Sequence, residues 1–474
     1  MSSPSAALVA YALSLQGGGW PKTGRGSPAS HEPLPWPFLQ REGEPEHLLL
    51  TAISRQLLYY RYIRVLIYLL PLSIIDPTYT IKEPVVELSR RLQSLPPYHF
   101  AAYARKIAEK RAAGVDVISL SMGDPDLPTP PEVLDALTTA AHDPANQRYP
   151  EYAGMPELRQ AYADWFGRRF GVTLDPAREV LPLIGSKEGL AHLPAVVMNE
   201  GDVALLPNPN YPVAATAVAM IGGVAYDLPL SEENGWLPDL NAIPEETLSR
   251  ARTLWLNYPN NPTGATAPRA FFEEAVRFAR AHGLLLIHDM AYAEVCFDGA
   301  QPASVLEVEG AKDVAVELHS LSKAYNMAGF RIGALVGNAT VVEGLTRLKS
   351  NIDTGIFKPI QIAAIRALAL PHEWVAERNA IYQRRRDRVV AACQRIGLRV
   401  ATPAAGLYVW PRIPEGRSST EFAYDLLDHA GIAVTPGTNF GSNGEGYVRI
   451  SLTVADDRLD EAMARLEQNI AARA

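Results

Sequence analysis

Short, nearly continuous apolar runs alternate with helical spacing through the middle of the chain. The runs at 180–184, 203–206, 224–228, 253–256, 284–288, 314–318 and 332–336 are four or five residues long and lack a sustained apolar–polar alternation. Strands buried on both faces read this way. Between and after them, 156–170, 187–198, 268–282 and 360–370 repeat apolar residues at three- and four-residue intervals, and Gly283 stands where the third should end. The pattern predicts an α/β fold: a large domain with a mostly parallel seven-stranded sheet covered by helices on both faces. A ligand in such a sheet sits beyond the carboxyl ends of its strands.

The flanks read differently. Residues 87–114 carry helical spacing around Leu88, Leu92, Tyr103 and Ile107, broken at Pro96-Pro97, and a short strand follows at 117–120. Thr129-Pro130-Pro131-Glu132 predicts a helix opened by a capping box with proline in its first turn. Beyond Pro371 come a long helix at 374–396 with Gly397 to cap it, strand pieces at 407–410 and 447–452, and helices at 420–430 and 457–472. These predict a smaller α+β domain at 371–474, which recruits 85–124 and leaves 125–370 as the large domain. Residues 1–84 are different again, with Gly17-Gly18-Gly19-Trp20-Pro21 and Pro33-Leu34-Pro35-Trp36-Pro37. They predict a disordered or loosely packed extension, either an appended helper segment or, the favoured reading, an over-long start assignment whose true beginning lies nearer Val85.

Composition narrows the function. A chain of 474 residues exceeds one small core. A formal charge of −8 argues against a nucleic-acid surface. Two cysteines, Cys296 and Cys393, make neither a disulfide framework nor a metal site and suit a reducing cytoplasm. The apolar run at 65–75 is interrupted by Pro71 and falls short of the roughly 20 residues that span a bilayer. Neither membrane, nucleic acid nor metal is therefore an expected partner.

Polar groups collect where the apolar runs end. Lys323 lies in His319-Ser320-Leu321-Ser322-Lys323, with Arg331 further on; Asp289 closes another run and Tyr292 follows it. Asn261 belongs to Asn260-Asn261-Pro262-Thr263-Gly264 after a third, and Gly185-Ser186-Lys187 opens a helix after a fourth. Each has a bland explanation taken singly. Asp289 reads as a helix cap, Gly-Ser-Lys as an ordinary helix start without the Walker pattern, Asn-Pro-Thr-Gly as a turn, and Arg331 as a solvated or salt-bridged side chain. Their joint order at successive strand ends favours one site. An amine among anion-binding groups points to covalent chemistry on a phosphorylated carbonyl compound.

These motifs, from about Val85 to the C-terminus, resemble the class I/II aminotransferase family, fold type I enzymes that use pyridoxal 5'-phosphate. The resemblance implies that Lys323 carries the cofactor covalently and later moves the proton, while Asp289 pairs with the ring nitrogen. It implies that Tyr292 and Asn261 bond the ring oxygen and that Tyr211 stacks on the ring. Ser186, the Lys187 backbone, Ser320 and Arg331 would hold the phosphate, with Ser322 assisting or only shaping the loop. Tyr149 resembles a tyrosine that reaches the neighbouring subunit's phosphate, which implies a homodimer. Gly123 and Arg449 resemble contacts to an amino acid's α-carboxylate, Arg449 through a planar fork that lysine cannot reproduce; a structural strand arginine is the alternative. The segments 184–189, 288–294 and 349–355 are most similar to the members that act on LL-diaminopimelate with 2-oxoglutarate. Aspartate/alanine-type or broad-range transamination, a β-lyase on the same scaffold, and an aminotransferase-like transcriptional regulator stand as alternatives.

Overall fold

The computed structural model describes residues 86–95 and 101–471. The expected 1–84 extension and the Pro96-Pro97 break lie outside them. After a two-residue strand β1 (Ile118–Ser119), seven strands build the main sheet: β2 (Val180–Leu183), β3 (Val203–Asn208), β4 (Val224–Pro229), β5 (Ala251–Asn257), β6 (Leu285–Asp289), β7 (Ala315–Ser320) and β8 (Gly333–Gly337). Their order is β2-β8-β7-β6-β5-β3-β4. The pairs β7-β6, β6-β5, β5-β3 and β3-β4 are parallel, whereas β8 runs antiparallel to both β7 and β2. The link between β7 and β8 holds only short helical turns, too little for a helical crossover that would return the chain parallel.

Apart from the edge strand β4, which is mostly exposed, both sheet faces are buried, which explains why the other strands read as continuous apolar runs. Leu254, Leu256 and Leu286 face one side, against Phe272 of helix Arg269–His282 and Tyr162 and Phe166 of helix Pro156–Phe170. Trp255, Ile287 and Val316 face the other, against Leu190 and Leu193 of helix Ser186–Val197 and Leu345 of helix Ala339–Ser350. Among the polar residues on the buried strands, His288 and Glu317 satisfy each other: His288 Nδ1 lies 2.7 Å from Glu317 Oε1.

A second core gathers Ile118, Leu120, Val389, Phe422, Leu426, Ile432, Val448, Ile450 and Leu459. Strand β1 pairs in parallel with β10 (Ile432–Ala433), so a segment from before the main sheet joins this core. Beside it, β11 (Thr435–Pro436), β12 (Val448–Ser451) and β9 (Tyr408–Val409) form a small antiparallel sheet in the order β11-β12-β9. The fold is thus α/β, with a mostly parallel seven-stranded sheet and a smaller α+β part. Helix His372–Arg395 ends at Gly397, whose φ of 78° is left-handed.

One local expectation fails. Helix Pro131–His142 has Pro130 at its N-cap and no side-chain cap, so the capping box at Thr129 does not form. Thr129 Oγ1 instead donates to the Asn326 carbonyl at 2.8 Å, tying this loop to the segment after Lys323. Among the described residues, no helix is long and apolar enough to cross a membrane.

Candidate active site

The strand ends predicted from sequence do converge. Asn257, the last residue of β5, lies in register with Asp289, the last of β6. Its Nδ2 donates to the Asp289 carbonyl at 2.9 Å, and its Oδ1 accepts from the Asn261 N–H at 2.9 Å. One amide side chain therefore fixes two site residues, a role the sequence reading missed. Among the described residues, the Asp289 carboxylate accepts one hydrogen bond, from Ala291 N–H at 3.2 Å. Burial carries its pKa up to about 6, against the pull of that bond and of His288.

Lys323 sits in the single turn Leu321–Ala324, with Ser320 Oγ accepting from Ser322 N–H at 3.3 Å as the N-cap. Its Nζ donates to the Gly123 carbonyl at 2.7 Å. Burial is the largest influence on this amine and lowers its pKa; Arg449 and Arg331 push the same way, while Tyr408 and Asp124 oppose. A readily neutralised amine is the nucleophilic form.

The backbone of this lysine is held from behind. Arg378, buried on helix His372–Arg395, donates through Nη1 to the Lys323 and Ala324 carbonyls at 2.6 and 2.5 Å. Tyr382 and Arg385, one and two turns along the same helix face, reach Asp126 at 3.3 and 2.8 Å, three residues beyond Gly123. One helix face therefore ties down both the lysine turn and the loop that accepts its amine. Arg378→Met leaves the Lys323 and Ala324 carbonyls without this donor and also removes the bond from Nη2 to the Glu294 carbonyl, which keeps a donor from Asn379. At about 1–3 kcal/mol per unsatisfied group, the expected destabilisation is about 3 kcal/mol, read as a lowered urea midpoint at unchanged slope.

Arg449, on β12, donates to Asn261 Oδ1 at 2.9 Å and to the Ser121 carbonyl at 2.7 Å. Its guanidinium carbon lies 4.0 Å from the Tyr408 ring centroid and 4.6 Å from that of Phe440. Tyr408 Oη is 2.8 Å from Tyr292 Oη. Gly123, Asn261, Tyr292, Lys323 and Arg449 thus belong to one connected cluster. Tyr408 joins it although Leu407-Tyr408-Val409-Trp410 reads in sequence as a plain strand.

The opposite corner is rich in anion donors. Gly185 precedes the 12-residue helix Ser186–Val197, and a Cβ built on Gly185 would lie 2.3 Å from Arg331 Nη2. The guanidinium therefore reaches the helix start only because residue 185 has no side chain. Arg331 Nη1 also donates to Ser322 Oγ at 3.4 Å and to the Ala328 carbonyl at 2.8 Å. Lys187 Nζ lies 5.7 Å from the Tyr211 ring centroid. Tyr149 is not brought to this cluster; it is 85% exposed.

The family model "Aminotransferase class I and II" matches residues 115–466. The chain belongs to that family. An LL-diaminopimelate aminotransferase of Dehalococcoides mccartyi is 53% identical over 381 residues, covering 80% of this chain and 98% of that protein. One of Nitratidesulfovibrio vulgaris is 52% identical over 382 residues with the same coverage. Among solved structures, substrate-bound BacF of Bacillus subtilis superposes with a TM-score of 0.78 at 38% identity, over 81% of this chain and 97% of that one. A Thermus thermophilus aspartate aminotransferase single mutant gives 0.76 at 30% identity, over 81% and 99%.

The family's cofactor is pyridoxal 5'-phosphate, and the donor set fits it. A dianion suits the helix N-terminus beside Arg331. A cationic ring nitrogen suits the half-buried Asp289 carboxylate, whose raised pKa such a partner would reverse. An aldehyde suits the desolvated Lys323 amine.

Proposed function

We propose that this aminotransferase moves an amino group between LL-diaminopimelate and 2-oxoglutarate in a two-half-reaction cycle. What supports the substrate is the set of relatives named LL-diaminopimelate aminotransferase, 52–53% identical over 98% of their length. Pyridoxal phosphate supplies an aldehyde for the amine and a ring that accepts the electron pair released at the substrate's α-carbon. Ser186, the Lys187 backbone, Ser320 and Arg331 would hold its phosphate, Tyr211 its ring face, Asn261 and Tyr292 its ring oxygen, and Asp289 its ring nitrogen.

The residues' work follows from their placement. Arg449 and Asn261 already touch at 2.9 Å, so an α-carboxylate arriving there exchanges an amide acceptor for a charged one. Gly123 offers backbone beside it. The Lys323 amine, held by the Gly123 carbonyl at 2.7 Å, is placed to take a proton from the substrate's α-carbon and would deliver it to the carbon that the bound cofactor's aldehyde supplies, across the nitrogen from that α-carbon.

The working unit is proposed to be a homodimer in a reducing compartment such as the cytoplasm. Exposed Tyr149, Tyr152, Ile352 and Phe357 support it, because Gly355 packs against Glu151 and brings their two segments together as an apolar patch. A division at 85–124, 125–370 and 371–474 is supported by the separate cores, one at the seven-stranded sheet and one at the two small sheets.

Donor and acceptor choice decides the reading. LL-diaminopimelate, glutamate, aspartate and alanine are each assayed with 2-oxoglutarate and pyruvate. LL-diaminopimelate with 2-oxoglutarate is expected to exceed aspartate in kcat/KM by at least about tenfold, the equivalent of 1.4 kcal/mol. Aspartate or alanine turnover equal to or above it overturns the assignment.

A further inference from the structure

Tyr408 stands among the site residues without a role in the chemistry above. It lies on β9, in register with Ser451, two residues beyond Arg449 on β12 and therefore on the same strand face as Arg449. It is 3% exposed, and among the described residues its hydroxyl makes one hydrogen bond, to Tyr292 Oη at 2.8 Å. Its ring and that of Phe440 both lie against the Arg449 guanidinium, with centroids 4.0 and 4.6 Å from the guanidinium carbon. A Cβ built on Gly123 would fall 1.8 Å from Tyr408 Oη and 2.4 Å from its ring carbon Cζ. The absence of a side chain at 123 is what admits this phenol.

We propose that Tyr408 is a positioning residue with two separable actions: its hydroxyl donates to Tyr292 Oη, and its ring, with Phe440, clamps the Arg449 fork. The proposal rests on the aminotransferase site described above. A phenol has one proton, so in a hydroxyl pair one partner donates and the other keeps its proton for a third group. With Tyr408 as donor, the Tyr292 proton is directed to the cofactor's ring oxygen, and accepting a bond strengthens Tyr292 as a donor. Two rings packed against the Arg449 guanidinium restrict its rotation and hold its fork ready to grip a carboxylate with two parallel bonds, and cation–π attraction adds to the hold.

Two variants of the full chain, loaded with pyridoxal phosphate, separate the actions. The first readout is the pH midpoint of the cofactor–lysine absorbance change. The second is the dissociation constant of maleate, followed by the same absorbance. Asp124, Arg331 and Arg449 act on Lys323, and Asp289 and Arg449 on Tyr292, and both variants leave all of these in place; Tyr408 itself also raises the Lys323 pKa, so loss of that direct influence lowers the midpoint, and a rise reports the Tyr292 bond. Tyr408→Phe keeps the ring and removes the hydroxyl. The weakened Tyr292 bond then stabilises the deprotonated nitrogen less, so the midpoint rises by about 0.5–1 pH unit while maleate affinity changes less than about twofold. Tyr408→Leu removes both, and maleate affinity also falls by about 5–30-fold. A Tyr408→Phe midpoint equal to wild type overturns the hydroxyl's role, and a folded Tyr408→Leu variant with wild-type maleate affinity overturns the ring's. If the unaltered protein shows no Lys323-dependent absorbance at all, the site assignment itself has failed.

Discussion

Lys323→Ala is expected to lower turnover by about 10⁴-fold or more, the upper end of what a positioned acid–base group supplies, and to remove the borohydride-reducible chromophore. Both effects have one physical origin. The Lys323 amine is desolvated, its pKa is lowered by burial, and it is held at 2.7 Å by the Gly123 carbonyl. It can therefore act as nucleophile and as proton carrier at the same place. Water admitted to the space left by alanine could accept a proton but could not form the covalent link. The fold should survive, because the backbone of this turn is fixed by Arg378 at the Lys323 and Ala324 carbonyls and by the Ser320 cap, none of which uses the lysine side chain. Far-UV dichroism and the urea midpoint are expected to match the unaltered protein within about 1 kcal/mol. Retained colour together with turnover would remove Lys323 from the chemistry.

The sheet was legible because burial of both strand faces leaves short apolar runs that need no long-range information. The site was legible because its chemistry sits at the ends of those runs: Asn261, Asp289, Ser320 and Lys323 follow strands that the hydropathy pattern alone delimits. Helix Val213–Met220 escaped because Val-Ala-Ala-Thr-Ala-Val-Ala-Met is apolar nearly all round and shows no stripe. The capping box at Thr129 was misread because the helix starts one residue later, with Pro130 at the N-cap, and the Thr129 hydroxyl is turned to donate to the Asn326 carbonyl. Asn257, Arg378 and Tyr408 were missed for a related reason. Each acts by holding another residue's backbone or hydroxyl, and nothing local in the sequence distinguishes such a strut from a strand or helix residue. Tyr149 differs again: its inferred role needs a second copy of the chain, and within one copy it is simply exposed.

Asp289→Asn is expected to move stability and activity in opposite directions. In the cofactor-free protein Asp289 is half-buried, its carboxylate has no cation bonded to it among the described residues, and desolvation raises its pKa from 3.8 to about 6. The folded state therefore binds more protons than the unfolded state between those two values. Any stability contributed by the protonated carboxyl is complete below pH 3.8 and is lost as pH rises to about 6. Above pH 6 the charged form is carried at a cost of up to about 3 kcal/mol, which a neutral amide of the same shape avoids. Thermal or urea unfolding of the cofactor-free variant at pH 8 should show it more stable than the unaltered protein, with the gain vanishing near pH 4. Turnover should fall by about 10²–10⁴-fold, because a neutral amide no longer favours a protonated ring nitrogen and the ring accepts carbanion charge less readily. Cofactor affinity should fall as well, since the ion pair that returns the carboxylate to its ionised form is gone. A variant less stable than the unaltered protein at pH 8 would show that Asp289 is held by more than its environment here provides. Undiminished turnover would show that the ring nitrogen does not depend on this carboxylate.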